Sequence, residues 1–348
     1  MHYIFLLLFL FVLLPLDFTR IDKRYLVLLS IILLSVFASI YSQTGSIDYP
    51  GYKSYFECIS IPECAEDLVV EPSFKIIINV FQSTIGTNFW LFISAYSVLS
   101  IVIKLYFLKK YSPFFMLSVL VYVCYNFLIH DMTQVRASLS LAFFWLAVDK
   151  YSENSIKKSF IFFMLAVVLH VSAVAGGVIY FLNKRTLNKA FFFFVVIFAY
   201  VTSFIVPKAS LMALVSDAFP GTRLSVYAAG FGVELWDFNP INMTVFIFFI
   251  MNSLLLFRLK EGEASEIEII VCKLGFVAVA AFGATYWVPA LGMRTFEYLN
   301  SLYVLTFVFV AKRYRNAYMY LFVLGAGIFY WANNLINHQL MLDFAPLW

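Results

Sequence analysis

A group of charged and hydrogen-bonding side chains lies between two apolar runs, in the stretch FLIHDMTQVRASLSLAFFWLAVDK that begins at Phe127. Ionisable groups in apolar segments are costly, so they mark candidate functional sites. A guanidinium group matches phosphate oxygens with paired hydrogen bonds and stays charged at any physiological pH. The grouping of Arg136 with His130 and Gln134 therefore predicts a ligand-binding cluster. The alternative is that Arg136 is an interfacial anchor.

Arg294 is a second arginine at the start of an apolar run, in the motif GMRTFEYLN. Glu297 and Tyr298 follow at i+3 and i+4, on the same helical face. Either Arg294 pairs with Glu297 within its helix, or Arg136 and Arg294 bind a diphosphate together, with Tyr298 beside them.

Groups that could act as bases occur in three further motifs. His170 and Ser172 lie in LHVSA, where the imidazole is either a packing residue or a base or hydrogen-bond donor. Asp48 and Tyr52 in GSIDYPGY and Glu71 in VVEPSF supply carboxylates and a phenol. These three are either site groups or solvated loop residues.

The stretch 207–240 is rich in aromatic and polar side chains, among them Arg223, Trp236 and Asp237. Aromatic faces combined with hydrogen-bonding groups suit sugars, although ordinary membrane-interface belts have the same composition. The chain has no GxxxxGK[ST], DxD, HExxH or GxSxG motif, so it offers no nucleotide-binding loop or serine-hydrolase elbow. No histidine and carboxylate spacing specifies a metal, and we expect no cofactor.

The elements that must position these residues are helices in a membrane. Of the 348 residues, 63% are hydrophobic and 13% are charged, a composition that leaves too little polar surface for a water-soluble domain. Apolar runs of about 20 residues predict an all-α polytopic membrane protein with about 10 to 12 transmembrane helices and a single membrane domain over residues 1–348. The predicted spans are 2–16, 25–42, 88–108, 113–130, 133–149, 190–206, 241–258, 267–288, 293–311 and 317–335.

The basic residues predict the topology. Because cytoplasmic loops carry an excess of lysine and arginine, every basic cluster can lie inside only if 159–182 enters the membrane and returns as a hairpin that turns near His170. A single ordinary crossing over 159–182 is the alternative. The hairpin leaves the loops 43–87, 130–133, 207–240 and 289–292 outside, with the amphipathic piece PSFKIIINVFQSTIG lying in the interface.

The four cysteines fall into two pairs. Cys124 and Cys272 lie within predicted spans and suit packing, whereas Cys58 and Cys64 lie in the outer loop 43–87. That loop faces the oxidising side, so the second pair is either a disulfide or two free thiols. No histidine at ligand spacing indicates a zinc site there.

The order of these motifs resembles that of EpsG-like proteins, which are Wzy-type polymerases of O-antigen and exopolysaccharide repeat units. The resemblance covers residues 40–300 and rests on DYPGY, EPSF, TQVRASLSLAFFWLAV, LHVSA and RTFEY. One departure concerns the outer loop. Many relatives carry an arginine shortly before the loop aspartate, where this chain has YSQTGSID with Gln43.

The resemblance implies a GT-C-like glycosyltransferase in the bacterial inner membrane, with its site facing the periplasm. Donor and acceptor would both be glycans on undecaprenyl diphosphate, with the bilayer as the surrounding partner and a chain-length regulator protein as a further candidate. Arg136 and Arg294 would hold the donor diphosphate, His170 or Asp48 would act as the base, and Glu71 would orient the sugars. No nucleic-acid partner is expected. A lipid-linked glycan flippase and a membrane O-acyltransferase remain alternatives.

Overall fold

The computed structural model describes residues 2–45, 48–67, 70–205, 213, 217, 242–286, 289–315 and 317–337. Its elements are helices, and no strand occurs in these ranges. The chain is an all-α polytopic membrane protein. It divides into two compact units, residues 1–174 with 307–348, and residues 175–306. The prediction of a single membrane domain is not tested by this division.

The first unit contains most of the candidate site. Up to residue 169, its helices are α1 (His2–Leu13), α2 (Lys23–Gly45), α3 (Tyr49–Cys58), α4 (Pro62–Asp67), α5 (Pro72–Thr84), α6 (Phe89–Tyr111), α7 (Phe115–Tyr122), α8 (Val135–Ser152) and α9 (Ile156–Leu169), and the helix Ala317–Asn337 also belongs to this unit. A short 3-10 helix, Leu14–Phe18, follows α1, and α7 continues without a break as a π-helix over Val123–Thr133.

The remaining helices begin with a 3-10 helix, Val171–Phe181. They continue with α10 (Lys189–Ile205), α11 (Met243–Arg258), α12 (Glu266–Thr285), α13 (Pro289–Leu299), α14 (Tyr303–Tyr314) and α15 (Ala317–Asn337).

Four helical stretches in the described ranges are long and apolar enough to cross a membrane: Lys23–Tyr41, Phe89–Tyr111, Phe115–Thr133 and Glu266–Thr285. Shorter apolar helices occupy most of the other predicted spans, so the total of 10 to 12 crossings stays a prediction. One predicted span is interrupted. The stretch 293–311 is two helices, α13 and α14, separated by a turn at residues 300–302.

Local sequence explains where several of these helices begin. The Asn88 side chain accepts a hydrogen bond from Leu91 N at the start of α6, and Lys109 and Lys110 occupy the last turn of that helix. The Asn88 side chain pairs with one of the free N–H groups at the start of the helix. The lysines place positive charge at the negative end of the helix dipole. Ser265 and Glu268 form a capping box at the start of α12.

Serine hydroxyls fix the alignment of α6, α8 and α9. Ser100 Oγ lies 2.7 Å from Ser138 Oγ, and Phe107 packs against Trp145, so α6 and α8 run parallel with an offset of 38 positions. Ser140 Oγ donates to Ala166 O at 2.7 Å. Ser159 Oγ donates to Ala147 O at 2.8 Å, so α8 and α9 are antiparallel.

The amphipathic piece forms α5, a helix of 13 residues. It buries Phe74, Ile78 and Phe81, while Ile76 and Val80 are exposed. The buried face packs with α3 and α6 in an aromatic core, with ring centroids 5.9 Å apart for Phe74 and Phe92. The helix is therefore amphipathic as predicted, and its place in the membrane interface stays a prediction.

The stretch 159–182 breaks at the predicted residue. Helix α9 ends at Leu169, His170 is extended with φ −157° and ψ 124°, and a 3-10 helix begins at Val171. The return of the chain as a re-entrant hairpin remains a prediction.

In the second unit, a glycine permits the close contact of α11 and α12. A Cβ on Gly275 would lie 2.1 Å from Asn252 Oδ1. Asn252 is fully buried and donates from Nδ2 to Phe248 O at 2.8 Å, and Thr306 Oγ1 donates to Asn252 Oδ1 at 3.3 Å. This satisfied polar group ties together three helices at a depth where unpaired amides are costly.

Candidate functional site

A carboxylate joins two of the predicted site residues. Glu71 Oε2 accepts a hydrogen bond from Arg136 Nη1, and Glu71 Oε1 lies 3.0 Å from His170 Nδ1. The three side chains come from the start of α5, the start of α8 and the break after α9. All three are mostly buried, with side-chain exposures of 20%, 10% and 14% respectively. We call these three residues the central triad.

The fold brings the triad together through two pairings. The antiparallel alignment of α8 and α9 places Arg136 opposite His170, because Ser140 pairs with Ala166 one turn further along. Helix α5 is tied to the end of α9 by a hydrogen bond from Ser73 Oγ to Val168 O. This bond fixes Glu71, two residues earlier, beside His170.

Glu71 stands immediately before Pro72, which is the first residue of α5. Proline is favoured at this position because a helix leaves its first N–H groups unpaired in any case. The Glu71 side chain makes no capping bond to α5, although its position would allow one. Its two oxygens are instead directed to Arg136 and His170.

Arg136 is surrounded by aromatic rings. Its guanidinium carbon lies 5.3 Å from the ring centroid of Tyr52, 5.9 Å from that of Tyr55 and 5.2 Å from that of Phe74. Cation–π contacts of this kind stabilise a desolvated guanidinium. Its Nε is buried and has no hydrogen-bond partner among the described residues. An unpaired buried donor on a cation is costly, and it is satisfied if a ligand oxygen binds there.

Arg136 is buried within the protein, with only 8% of the residue exposed. The offset between α6 and α8 puts it level with residue 98 of α6. That level is nine residues, or roughly 13 Å, below the first residue of α6 at a rise of 1.5 Å per residue. The choice between a ligand site and an interfacial anchor stays a prediction.

The charge state of Glu71 determines which His170 nitrogen carries a proton in the pair. Burial raises the pKa of Glu71, but the hydrogen bond from His170 and the positive charge of Arg136 outweigh it and lower the pKa to about 2. An ionised carboxylate only accepts hydrogen bonds, so His170 Nδ1 must be the donor. In neutral His170, Nε2 then carries the lone pair and can accept a proton.

Tyr52 and Asp48 lie at the beginning of α3. Tyr52 is buried against Arg136, and burial raises the pKa of its phenol despite the opposing charge of Arg136. Asp48 is an exposed turn residue whose carboxylate makes no capping bond to α3. Tyr52 therefore belongs to the surroundings of the triad, and a role for Asp48 stays a prediction.

His130 and Asp131 do not lie in a solvated outer turn. Residues 130–133 were predicted to be an outer loop, but they form the end of the π-helix, where His130 is 2% and Asp131 0% exposed. Gln134 lies beside His130 and is half-buried at the end of this helix, with its N–H bonded to Ile129 O at 2.8 Å. Binding roles for Gln134 and His130 stay predictions.

Asp131 instead forms a buried ion pair that sequence reasoning missed. Lys104 Nζ lies 3.0 Å from Asp131 Oδ2, and both side chains are fully buried. Tyr122 Oη donates to Asp131 at 2.5 Å, and Ser138 Oγ donates to it as well. A lysine within the apolar run of α6 was the available signal, because intramembrane charges need partners.

Other predicted site residues lie elsewhere. Ser172 is half-buried in the 3-10 helix that follows His170. Arg294, exposed, and Tyr298, buried, belong to α13 in the second unit, so their cooperation with Arg136 stays a prediction. Arg223, Trp236 and Asp237 lie outside the described residues.

The segment between α2 and α6 carries one covalent link. Cys58 at the end of α3 and Cys64 in α4 form a disulfide, with their Cα atoms 5.4 Å apart. Cys124 and Cys272 are buried thiols. Among the described residues, no group of three or more histidine, cysteine or acidic side chains could hold a metal ion.

Comparison with known families gives one match. The family model described as the EpsG family matches residues 24–346. No curated protein matches this chain, and no solved structure does.

Proposed function

Because this chain belongs to the EpsG family, a family of Wzy-like polymerases, we propose that it polymerises oligosaccharide repeat units carried on undecaprenyl diphosphate. The reaction is a glycosyl transfer on the outer face of a bacterial inner membrane. It builds an exopolysaccharide or O-antigen chain. The donor is the growing glycan on its lipid diphosphate, and the acceptor is a single lipid-linked repeat unit.

The observation that carries this proposal is the bridging of His170 and Arg136 by Glu71. Glycosyl transfer needs a base for the acceptor hydroxyl and hydrogen-bond donors for the departing group. The triad contains one group of each kind, held by a shared carboxylate. Glu71 is then a positioning residue, rather than a direct contact to the sugars.

In the proposed step, His170 Nε2 accepts the proton of an acceptor hydroxyl. The hydroxyl oxygen forms a bond to the anomeric carbon of the donor sugar. The bond from that carbon to the diphosphate breaks, and its electron pair leaves with the diphosphate. Glu71 stabilises the imidazolium that forms, because its negative charge lies 3.0 Å away.

The charge balance indicates that Arg136 does not act alone on the diphosphate. Its charge is already compensated by Glu71, so the triad carries no net charge while His170 is neutral. A departing diphosphate needs further positive charge. Arg294 is the residue we propose for this, and Arg136 contributes its unpaired Nε–H donor.

The remaining predicted residues are assigned to the sugars. We propose sugar-binding roles for Asp48, Ser172, His130, Gln134 and Tyr298, and for the aromatic and polar residues of the stretch 207–240.

The disulfide supports the outer location of the site. Disulfides persist on the oxidising side of the bacterial inner membrane and are rare in the cytosol. Cys58 ends α3, the helix that also contributes Tyr52 and Tyr55 to the surroundings of Arg136. Lys109 and Lys110 lie in the last turn of α6, at the end away from Asn88. Lysines in this position are typical of the cytoplasmic side of a membrane.

The test is complementation of a strain that lacks this gene, followed by analysis of its lipid-linked glycans. We expect the wild-type chain to give a polymer ladder, whereas Arg136→Ala and His170→Asn leave single repeat units on the outer face. Glu57→Gln is the matched control, because Glu57 is an exposed carboxylate on α3 that pairs only loosely with Lys53, at 3.9 Å.

The same analysis separates the other classes of function. Repeat units trapped on the inner face would indicate a flippase. Full-length polymer without acyl groups would indicate an O-acyltransferase. Wild-type ladders from both site variants would contradict the proposed reaction.

A further inference from the structure

An apolar cavity of about 710 Å³ adjoins the central triad. Its walls come from α5, α6, α8 and α9, all in the first unit. Pro72 and Ser73 follow Glu71 in the chain, Leu169 precedes His170, and Leu139 lies one turn beyond Arg136. The wall of the cavity thus includes the chain neighbours of Glu71 and His170, although the triad side chains themselves do not line it. Its volume lies in the range of roughly 300–1,000 Å³ that is usual for small-molecule sites.

The cavity opens beside apolar side chains that the protein leaves exposed. Four of its lining side chains are strongly exposed although they are apolar: Ile76 at 62%, Leu99 at 48%, Leu165 at 41% and Val168 at 54%. Leu99 lies inside Phe89–Tyr111, a helix that is long and apolar enough to cross a membrane. Lipid chains can reach such an opening without passing through water.

Two buried donors, one on a lining residue of the cavity and one on the triad, have no acceptor among the described residues. One is Arg136 Nε, and the other is the hydroxyl of Tyr96, a residue that lines the cavity. Arg136 lies near enough for its charge to act on the Tyr96 hydroxyl. A cationic and a neutral donor beside an apolar cavity fit a molecule with an oxygen-rich anionic head and a hydrocarbon chain.

We propose that this cavity receives the first part of the polyprenyl chain of the donor lipid, the one whose diphosphate leaves in the reaction. The inference rests on the proposed function. The Nε–H of Arg136 and the hydroxyl of Tyr96 donate to oxygens of the diphosphate, and the chain runs out between α6 and α9 into the bilayer.

Geometry distinguishes the donor lipid from the acceptor lipid. In the donor, the diphosphate is attached to the anomeric carbon that reacts, so its polyprenyl chain begins beside the reaction centre. In the acceptor, a whole repeat unit separates the reacting hydroxyl from the lipid. A cavity that adjoins His170 and Arg136 therefore suits the donor chain.

The test measures polymerisation by the purified full-length protein with two defined substrates, a two-repeat donor and a one-repeat acceptor. Each lipid is shortened in turn to a ten-carbon chain. We expect a shortened donor to raise the KM for donor about tenfold, because methylene groups lose their apolar contacts. A shortened acceptor should leave both KM values unchanged.

Two tryptophan variants on α6 supply a matched pair. Leu99 lines the cavity and Leu91 does not, although both are leucines on the same helix with similar exposure, 48% and 42%. Leu99→Trp should raise the KM for the long-chain donor and abolish the dependence on donor chain length. Leu91→Trp should behave as the wild type. The proposal would be overturned if the two variants had the same KM for the long-chain donor. It would also be overturned if the KM values depended on the length of the acceptor chain.

Binding of undecaprenyl diphosphate without sugar separates this proposal from the proposed function. Loss of binding in Leu99→Trp but not in Leu91→Trp supports the cavity assignment, even if the wild type forms no polymer. In that case the polymerase function fails and the lipid site stands. Polymer formation together with equal binding by both variants overturns the cavity assignment alone.

Discussion

Glu71 and His170 are hydrogen-bonded at 3.0 Å although 99 positions separate them in the chain. The first stands at the start of α5 and the second at the break after α9, so their hydrogen bond joins these two parts of the chain. The same carboxylate binds Arg136. One side chain thus orients both a base and a cationic donor, and this arrangement determines what each variant should do.

Replacing Glu71 by glutamine should reduce polymerisation about a hundredfold or more, a loss typical of misplaced acid–base groups. The amide can donate to His170 Nδ1, which favours the wrong imidazole tautomer. The measurement is the kcat of the purified variant. Glu57→Gln serves as the control, and a kcat for Glu71→Gln within twofold of the control would refute the positioning role.

The low pKa of Glu71 makes a prediction for acid stability. Its pKa of about 2 lies below its ordinary value of 4.5, so the native state binds fewer protons than the unfolded state. The stabilisation is fully present above pH 4.5 and is lost as the pH falls towards 2, and it amounts to about 3 kcal/mol. Thermal unfolding should show wild type and Glu71→Gln converging over this range. A constant difference between them would contradict the assignment.

Sequence reasoning found all members of the triad but not their connection. Arg136, His170 and Glu71 stood out because charged and imidazole groups adjoin apolar runs, and the resemblance to EpsG-like proteins supported them. The sequence did not predict the ion pair between Glu71 and Arg136, because it depends on the alignment of α8 with α9 and on α5 folding over them. From the sequence alone, Glu71 is therefore expected to orient the sugars.

Asp131 was misplaced for a physical reason. The HDMT segment contains three polar residues between apolar runs, a pattern that favours a solvated turn. A π-helix has no comparable sequence signal. Its partner Lys104 is 27 positions away. In the sequence, Lys104 is only a few positions from Lys109 and Lys110 in the last turn of α6, so its place within the apolar run is easily overlooked. The break between α13 and α14 was also missed, although Asn300 and Ser301, which are residue types that favour turns, stand at it.

The buried ion pair of Lys104 and Asp131 should contribute strongly to the free energy of unfolding of the first unit. Lys104→Met leaves a buried carboxylate without a counter-charge, which should cost about 3–5 kcal/mol. Adding Asp131→Asn removes that charge and keeps an acceptor for Tyr122, so the double variant should recover much of the loss. Unfolding midpoints in detergent measure both.

Lys53→Met is the control for this pair, because Lys53 is 53% exposed. It should change stability by less than about 0.5 kcal/mol. A double variant no more stable than Lys104→Met would show that uncompensated charge is not the cause.

The disulfide provides a test of topology. In intact spheroplasts treated with a membrane-impermeant reductant, an impermeant maleimide should label Cys58 and Cys64. Cys124 and Cys272 should stay unlabelled because both are buried. Labelling of Cys58 only after the membrane is permeabilised would place α3 and α5 in the cytoplasm and would contradict an outer site.

The central claim is that His170 is the base of glycosyl transfer, and chemical rescue tests it most directly. His170→Ala should form polymer at least about a hundredfold more slowly than the wild type. Imidazole in the medium should restore a substantial part of the rate, and N-methylated imidazole should also act because only one ring nitrogen needs a lone pair. Wild-type polymer formation by His170→Ala, or a loss that no imidazole restores while the variant still binds undecaprenyl diphosphate, would contradict the account.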